Sequence, residues 1–230
     1  MKEFLSESVY FGVTVSMIGY AIGLFLKKKF KSGLLNPLLI SIIFVIGLIK
    51  ILNIDYSTYE KTAHYLGYLL TPATVALAIP LYQKMELLKK NMAAVMGGIL
   101  SGVIASLVSI WGMALIFHLN HQEYVTLLPK SITTAIGIGV SDELGGMTTI
   151  TVAVIIVTGV LGNVIGQTIC KLFKIYEPIA VGLAFGTSAH AIGTTKAMEI
   201  GEVEGAMSSL SIAVAGVLTV AGAAVFSSFI

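Results

Sequence analysis

The sequence predicts an all-α, polytopic membrane protein, and three observations lead to that fold class. Of the 230 residues, 56% are hydrophobic and only 11% are charged, whereas soluble domains carry about 25% charged residues. The apolar residues are gathered in runs close to the roughly 20 residues that a helix needs to cross a bilayer. Prolines, glycines and hydroxyl residues interrupt some runs, and such backbone persists at membrane depth only beside protein or a water-filled cavity.

Eight segments follow from these runs. Six of them are long and apolar, and these are residues 9–26, 34–52, 64–82, 92–117, 147–169 and 206–229. Two are less regular, 127–140 and 178–197, because each contains glycines, hydroxyl residues and a lysine. Each of these two is predicted to be either a broken span or a re-entrant segment. We therefore expect about eight transmembrane or re-entrant segments, with broken helices among them.

An internal repeat is indicated by the dipeptide Ala-Ile. Its alanines stand at positions 21, 78, 135 and 191, so the intervals are 57, 57 and 56 residues. In the last three copies a hydroxyl residue stands four positions before the alanine, namely Thr74, Ser131 and Thr187. A fixed period of this length is typical of a repeated architecture. It predicts one domain over residues 1–230, with units near 1–57, 58–114, 115–171 and 172–230, although chance remains an alternative for the first copy.

The charged residues limit the classes of binding partner and predict the orientation of the chain in the membrane. The net charge of +2 argues against nucleic-acid binding, and all fourteen cationic residues are lysines, so no guanidinium clamp is available. Two loops concentrate lysine, the first with Lys27, Lys28, Lys29 and Lys31 and the third with Lys84, Lys89 and Lys90. The positive-inside rule predicts that both loops are cytoplasmic and that the N-terminus is outside.

The orientation of the second half stays open at this level. If every segment spans the membrane, Lys171 and Lys174 fall outside. If 127–140 enters and returns on one side, both lysines fall inside, which agrees better with the positive-inside rule and would invert the fourth repeat relative to the second.

No enzyme or cofactor class has support in the sequence. It contains no nucleotide-binding glycine loop, no metal-ligand cluster and no Ser-His-Asp context. Cys170 is the single cysteine, which excludes an internal disulfide. Ser188 and His190 are two residues apart, about 200° around a helix, so they do not form a nucleophile and base. We expect a protein that is not an enzyme and needs no cofactor.

The first polar break lies between Pro72 and Pro80, where Thr74 is the candidate binding residue. Two prolines eight residues apart interrupt helical hydrogen bonding and free backbone groups. Such groups are available to a substrate, although a kinked structural helix explains Pro72 alone equally well.

The second polar break is residues 128–137, where Pro129 is suited to the first turn of a helix. Four candidate binding residues follow it: Lys130, Ser131, Thr133 and Thr134. The unpaired amides of a helix N-terminus and an adjacent lysine favour an anion, and a carboxylate fits best. In the alternative interpretation Lys130 extends to the membrane interface and the hydroxyls bond back to their own helix.

The third polar break is residues 186–196, and its candidate binding residues are Thr187, Ser188, His190, Thr194, Thr195 and Lys196. Ionisable residues at membrane depth are functional candidates, although a single histidine is more often a satisfied packing residue. His190 can change charge near neutral pH, so it is the first candidate for proton coupling. Asp142 and Glu143 are further candidates, with a solvated loop as the alternative.

These motifs resemble the LrgB/CidB family of bacterial membrane proteins, whose plant relatives are plastidial glycolate/glycerate transporters. The resemblance rests on PATVALAIPLY at 72–82, LPKSITT at 128–134, Gly145-Gly146, GLAFGTSAHAIGT at 182–194 and GEVEGA at 201–206. It covers nearly the whole chain. Ala135 departs from the family, which often has proline after the two threonines.

The resemblance implies two possible functions. One is antiholin-like regulation of murein hydrolase export and autolysis, together with a small LrgA/CidA-type membrane partner. The other is transport of small monocarboxylates such as pyruvate, glycolate or glycerate. The polar breaks favour transport, with a small carboxylate anion and the lipid bilayer as partners. We also expect a homodimer in the bacterial plasma membrane.

Overall fold

The computed structural model describes residues 8, 10–30 and 35–230, and the secondary structure of these residues is helical. The α-helices are α1 (Phe11–Phe30), α2 (Pro37–Leu52), α3 (Tyr56–Ala63), α4 (Leu70–Gln83), α5 (Met85–Lys90), α6 (Met92–Phe117), α7 (His121–Leu127), α8 (Thr134–Glu143), α9 (Thr148–Leu172), α10 (Pro178–Ile200) and α11 (Glu202–Phe226). Two short 3₁₀ helices are His64–Leu69 and Ser227–Phe229. The predicted all-α class is confirmed.

Four helices of the described residues are long and apolar enough to cross a membrane: α1, α6, α9, and α11 with the 3₁₀ turn that follows it. The predicted span 34–52 corresponds to α2, a shorter apolar helix of 16 residues. The predicted span 64–82 is divided between the His64–Leu69 turn and α4. These features agree with a polytopic membrane protein.

The first compact unit is residues 1–76, in which α1 packs against α2 and α3. Its helices approach closely at glycines of α1. The Gly12 amide donates to the Thr62 hydroxyl at 2.8 Å, and a Cβ at Gly23 would lie 2.6 Å from the Pro37 carbonyl oxygen. The start of α2 follows from its sequence, because Asn36 accepts from the Leu38 and Leu39 amides and Pro37 needs no amide partner.

The second compact unit is residues 77–230, and α10 packs there against α6, α9 and α11. Small residues allow these close contacts. A Cβ at Gly162 of α9 would clash with the Ala189 Cβ, and a Cβ at Gly186 of α10 would clash with the Ser208 carbonyl oxygen. Helices in membranes commonly pack through small residues in this way, so α10 occupies the centre of this unit.

Segment 127–140 is a turn followed by the short helix α8. Ten residues of helix rise about 15 Å, which is half of the roughly 30 Å hydrocarbon core. A buried hydroxyl cluster holds α8, because Thr151 donates to Ser141 at 2.7 Å and Thr126 accepts from the Met147 amide at 2.8 Å. The length of α8 fits a re-entrant segment better than a complete span.

Segment 178–197 forms most of α10, and that helix is broken at His190. The backbone of His190 has φ 41° and ψ −139°, which is not helical, and helical residues continue on both sides. Broken helices were predicted for this segment, and the break is confirmed. α10 therefore consists of two half-helices that meet at a buried histidine.

The third and fourth Ala-Ile copies each lie at the start of a helical stretch. Ala135-Ile136-Gly137 lies in the first turn of α8, and Ala191-Ile192-Gly193 opens the second half of α10. The second copy differs, because Ala78-Ile79-Pro80 lies inside α4. The division into four units remains a prediction, and the matching helix starts support it for the third and fourth copies.

Candidate functional site

A cavity of about 920 Å³ lies in the second unit. Residues of α6, α9 and α10 line it, together with the loop that precedes α8. Most of the lining side chains are apolar or glycine. The hydroxyl and cationic residues among them are Ser106, Ser109, Lys130, Ser131, Thr158, Thr187 and Ser188.

The cation of this cavity is Lys130, in the loop before α8. Its ammonium donates to the Ser131 hydroxyl at 2.9 Å and to the Ser106 hydroxyl at 3.3 Å. Ser106 in turn donates to Ser131 at 3.2 Å. Within the described parts of the chain, no carboxylate lies within 4.0 Å of this ammonium. A half-buried positive charge is therefore held by two neutral hydroxyls.

Ser131 and Thr187 stand four residues before the third and fourth Ala-Ile copies, and both line the cavity. Ser131 is 5% exposed and Thr187 is 8% exposed. Gly102 of α6 leaves room for Thr187, because a Cβ there would lie 2.9 Å from the Thr187 Oγ1. The two hydroxyls thus line one cavity, although 56 residues separate them in sequence.

Thr187 and Ser188 donate their protons within their own helix. Thr187 donates to the Leu183 carbonyl at 2.7 Å, and Ser188 donates to the Ala184 carbonyl at 2.6 Å. Each hydroxyl oxygen can still accept a hydrogen bond, and each proton would reach a ligand only after the side chain rotates away from its carbonyl. Four predicted binding residues, Lys130, Ser131, Thr187 and Ser188, therefore line the same cavity.

His190 is buried at the break of α10, outside the set of cavity-lining residues. Its Nε2 lies 3.0 Å from the Ile155 carbonyl oxygen of α9. Because a carbonyl only accepts, Nε2 carries a proton and donates it. The imidazole lies against Gly159, where a Cβ would come within 2.8 Å of Nε2. This arrangement ties the break of α10 to α9.

Two further predicted residues, Thr194 and Thr195, secure the second half of α10. Thr194 is fully buried and lies 2.7 Å from the Ser208 hydroxyl of α11. Asn163 of α9 donates to the Ile192 carbonyl at 2.7 Å and to the Thr195 hydroxyl at 3.1 Å. These bonds join the half-helix to both neighbouring helices and lie away from the cavity lining.

The remaining predicted residues also lie outside the lining. Lys196 pairs with Glu199 at 3.1 Å on the surface. Thr133 is the N-cap residue of α8 without a side-chain capping bond, and Thr134 is its first residue. Asp142 and Glu143 are exposed at the end of α8. The side chain of Thr74 falls outside the described part of the chain.

Sequence reasoning missed Ser106, Ser109 and Thr158, which stand singly in long apolar helices. A lone hydroxyl in such a helix usually bonds back to its own backbone, so nothing sets it apart in one sequence. Ser106 carries one weak signal. It continues the four-residue spacing of Gly98 and Gly102, and those two glycines face Leu183 and Thr187 of α10.

Comparison with known proteins decides the family. The model of the LrgB-like family matches residues 16–229. This chain belongs to the LrgB-like family. It is 39% identical to the "Antiholin-like protein LrgB" of Bacillus subtilis strain 168, over 93% of each chain. Proteins of the same name from Bacillus mycoides KBAB4 and Bacillus cereus B4264 are 37% and 36% identical, over 96% of each chain. No solved structure matches the chain.

The family membership confirms the resemblance drawn from the sequence motifs. Together with the apolar helices, it identifies this LrgB-like chain as a membrane protein. The relatives' printed names describe an antiholin-like protein and no transported substrate.

Proposed function

We propose that this LrgB-like protein transports small monocarboxylates of the pyruvate, glycolate and glycerate class across the bacterial plasma membrane. The observation that carries the proposal is the Lys130 ammonium. It faces a 920 Å³ cavity in a membrane protein with only hydroxyl partners among the described residues. A charge at membrane depth is costly and is retained for function. An anion in the cavity supplies the missing counter-charge.

The chemistry of the lining supports a small monoanion. One lysine balances one negative charge, and the hydroxyls beside it bond carboxylate, keto and hydroxy oxygens alike. Most of the remaining lining is apolar and suits a short carbon chain, and Asn91 and Glu177 are its other polar residues. A second carboxylate on the substrate would find no second cation beside Lys130 among the described lining residues.

The test is uptake of radiolabelled pyruvate and glycolate into proteoliposomes that contain only this chain. We expect saturable uptake by the wild type and its loss in Lys130→Ala. Lys89→Ala is the matched control, because Lys89 is an exposed lysine of α5 outside the cavity. Equal uptake by wild type and Lys130→Ala would contradict the assigned site. Absence of uptake by folded wild-type protein would contradict transport by the chain alone.

Proton coupling is part of the proposal and has its own test. An inward proton gradient should accelerate pyruvate uptake if a proton moves with the anion. His190 remains the first candidate residue, although its hydrogen bond to the Ile155 carbonyl also suits a positioning role. A His190→Ala protein that keeps the gradient effect would remove His190 from proton coupling. Asp142→Asn and Glu143→Gln then test the exposed carboxylates.

The second candidate function is antiholin-like regulation of autolysis, acting with a small LrgA/CidA-type membrane partner. The names of the relatives support this candidate better than they support transport. Expression of wild type and Lys130→Ala in a strain that lacks the gene distinguishes the two. If both restore the wild-type autolysis rate, regulation does not require the Lys130 site. If only wild type restores it, the phenotype depends on that site.

Copurification tests the partner directly. A regulator of this kind should retain a small membrane protein through detergent extraction. The predicted homodimer has a separate test, because light scattering of the purified protein reports whether two copies of this chain associate.

A further inference from the structure

We propose that Ser106 is a positioning residue that turns Lys130 and Ser131 into a two-donor clamp for a carboxylate. The inference rests on the proposed anion site and extends it to a residue of α6. Ser106 lines the cavity and is half-buried. It contacts both members of the clamp, accepting from Lys130 at 3.3 Å and donating to Ser131 at 3.2 Å.

The Lys130 ammonium has one donor more than it uses among the described residues. An ammonium has three N–H groups. Two of them are directed to the hydroxyls of Ser106 and Ser131. The side chain has no third acceptor among the described residues. One N–H is therefore left for a ligand in the cavity, and the two serines fix the direction in which it points.

The Ser131 hydroxyl accepts two hydrogen bonds, one from Lys130 and one from Ser106. A hydroxyl accepts twice and donates once. The Ser131 oxygen accepts from Lys130 at 2.9 Å and from Ser106 at 3.2 Å, so both lone pairs are engaged. Its own proton then has no acceptor in this group of three and is available to a ligand. Without Ser106, the Ser131 hydroxyl would be free to rotate and to accept from the ligand side.

The two free donors match the two oxygens of a carboxylate. Lys130 and Ser131 are adjacent in the chain, and their donor atoms are 2.9 Å apart. A carboxylate presents two oxygens that each accept, and charge-assisted hydrogen bonds of this kind are stronger than neutral ones. Ser106 contributes by orienting this pair, without a direct bond to the ligand.

The experiment compares Ser106→Thr with Ser106→Val, which have the same shape and differ in the hydroxyl. The measurements are KM and Vmax for pyruvate uptake in proteoliposomes, and Kd for sodium pyruvate by calorimetry in detergent. We expect Ser106→Val to raise KM and Kd about tenfold with Vmax close to wild type, as for one lost hydrogen bond near a charge. Ser106→Thr should restore both values.

The control is Ser101→Ala on the same helix, since Ser101 is exposed and bonds to the Gly98 carbonyl of its own helix. Thermal unfolding of each variant confirms that it is folded, and Ser106→Ala provides the hydroxyl deletion if Val is not tolerated. A deletion variant with the KM and Kd of Ser101→Ala overturns the role of Ser106. A fall in Vmax with unchanged KM and Kd also overturns the role of Ser106.

Failure of the proposed function is a different result. If wild type binds pyruvate without moving it, transport is wrong, and the Kd values of the Thr and Val variants still decide the role of Ser106. If folded wild type neither binds nor moves pyruvate or glycolate, the carboxylate site and the clamp are both overturned.

Discussion

Gly159 shows how a single missing Cβ shapes this protein. The imidazole of His190 occupies the space beside it, and a Cβ there would lie 2.8 Å from both Nε2 and Cε1. The ring is buried and hydrogen-bonded to the Ile155 carbonyl, so it cannot move aside freely. The glycine of α9 and the histidine of α10 therefore depend on each other.

Gly159→Ala should lower the free energy of unfolding by about 1–3 kcal/mol, as overpacking of a tight interior does. Gly112→Ala is the control, because a Cβ at Gly112 would meet nothing within 4 Å. The control should be neutral or gain up to about 1 kcal/mol from helix propensity. Thermal unfolding in detergent measures both. Equal stability of the two variants would contradict the proposed dependence of His190 on Gly159.

The Thr194–Ser208 hydrogen bond gives a second prediction at this scale. Both side chains are fully buried and their oxygens are 2.7 Å apart. Thr194→Val and Ser208→Ala should each cost about 1–3 kcal/mol, since each leaves a buried hydroxyl with fewer partners. The double variant should cost less than the sum. Strictly additive losses in thermal unfolding would show that the two hydroxyls are energetically independent.

At the scale of the element, α10 is the broken helix at the centre of its unit. The break lies at His190, whose φ of 41° and ψ of −139° favour glycine. A histidine there is held by its bond to the Ile155 carbonyl, and the half-helix that follows is held by Asn163 of α9 and by the Thr194–Ser208 bond to α11. Local side-chain contacts offset the backbone strain.

Substitutions at His190 should reverse the usual helix preference. Inside a regular helix, alanine is more stable than glycine by about 1 kcal/mol. At His190 we expect His190→Gly to be more stable than His190→Ala by about 1–3 kcal/mol, because glycine adopts this backbone without strain. Gly112→Ala, inside the regular helix α6, should show the ordinary order, in which alanine is more stable than glycine. Thermal unfolding decides, and a more stable His190→Ala would mean that α10 is continuous in solution.

At the scale of the whole molecule, the distribution of lysine predicts the orientation in the membrane. The end of α1, with Lys27, Lys28 and Lys29, and the segment around α5, with Lys84, Lys89 and Lys90, should both be cytoplasmic. The chain suits a labelling test, since Cys170 is its single cysteine.

Lys28→Cys and Lys89→Cys, each in a Cys170→Ser background, should resist a membrane-impermeant maleimide in intact cells. Both should react in inverted vesicles, because that treatment exposes the cytoplasmic face. Tyr176→Cys lies in the exposed loop between α9 and α10. Its labelling reports on which side of the membrane this loop lies, which the positions of the lysines leave open. Labelling of either lysine position in intact cells would contradict the positive-inside prediction.

The candidate site was predictable in part. Composition alone identifies four of the candidates, because they stand in polar breaks of apolar runs: Lys130, Ser131, Thr187 and Ser188. The structure places these four around one cavity. Ser106 was not predictable, because α6 contains three serines and only the spacing of Ser106 from Gly98 and Gly102 sets it apart. Thr194 was predicted as a binding residue from the same composition, and the structure places it against α11. Binding and packing hydroxyls look alike in sequence.

What the sequence by itself determined is the lipid surroundings, the helical class, the family and the break within residues 178–197. These depend on apolar runs, on prolines and glycines, and on motifs that are local in the chain. The break predicted between Pro72 and Pro80 is wrong, because α4 is helical from Leu70 to Gln83 with Pro80 inside it.

Tertiary structure alone decided which hydroxyls face the Lys130 cavity and which hold α10 to its neighbours. That choice depends on the rotation of each helix about its axis, and the rotation is set by contacts with distant residues such as Gly102, Gly159 and Ser208.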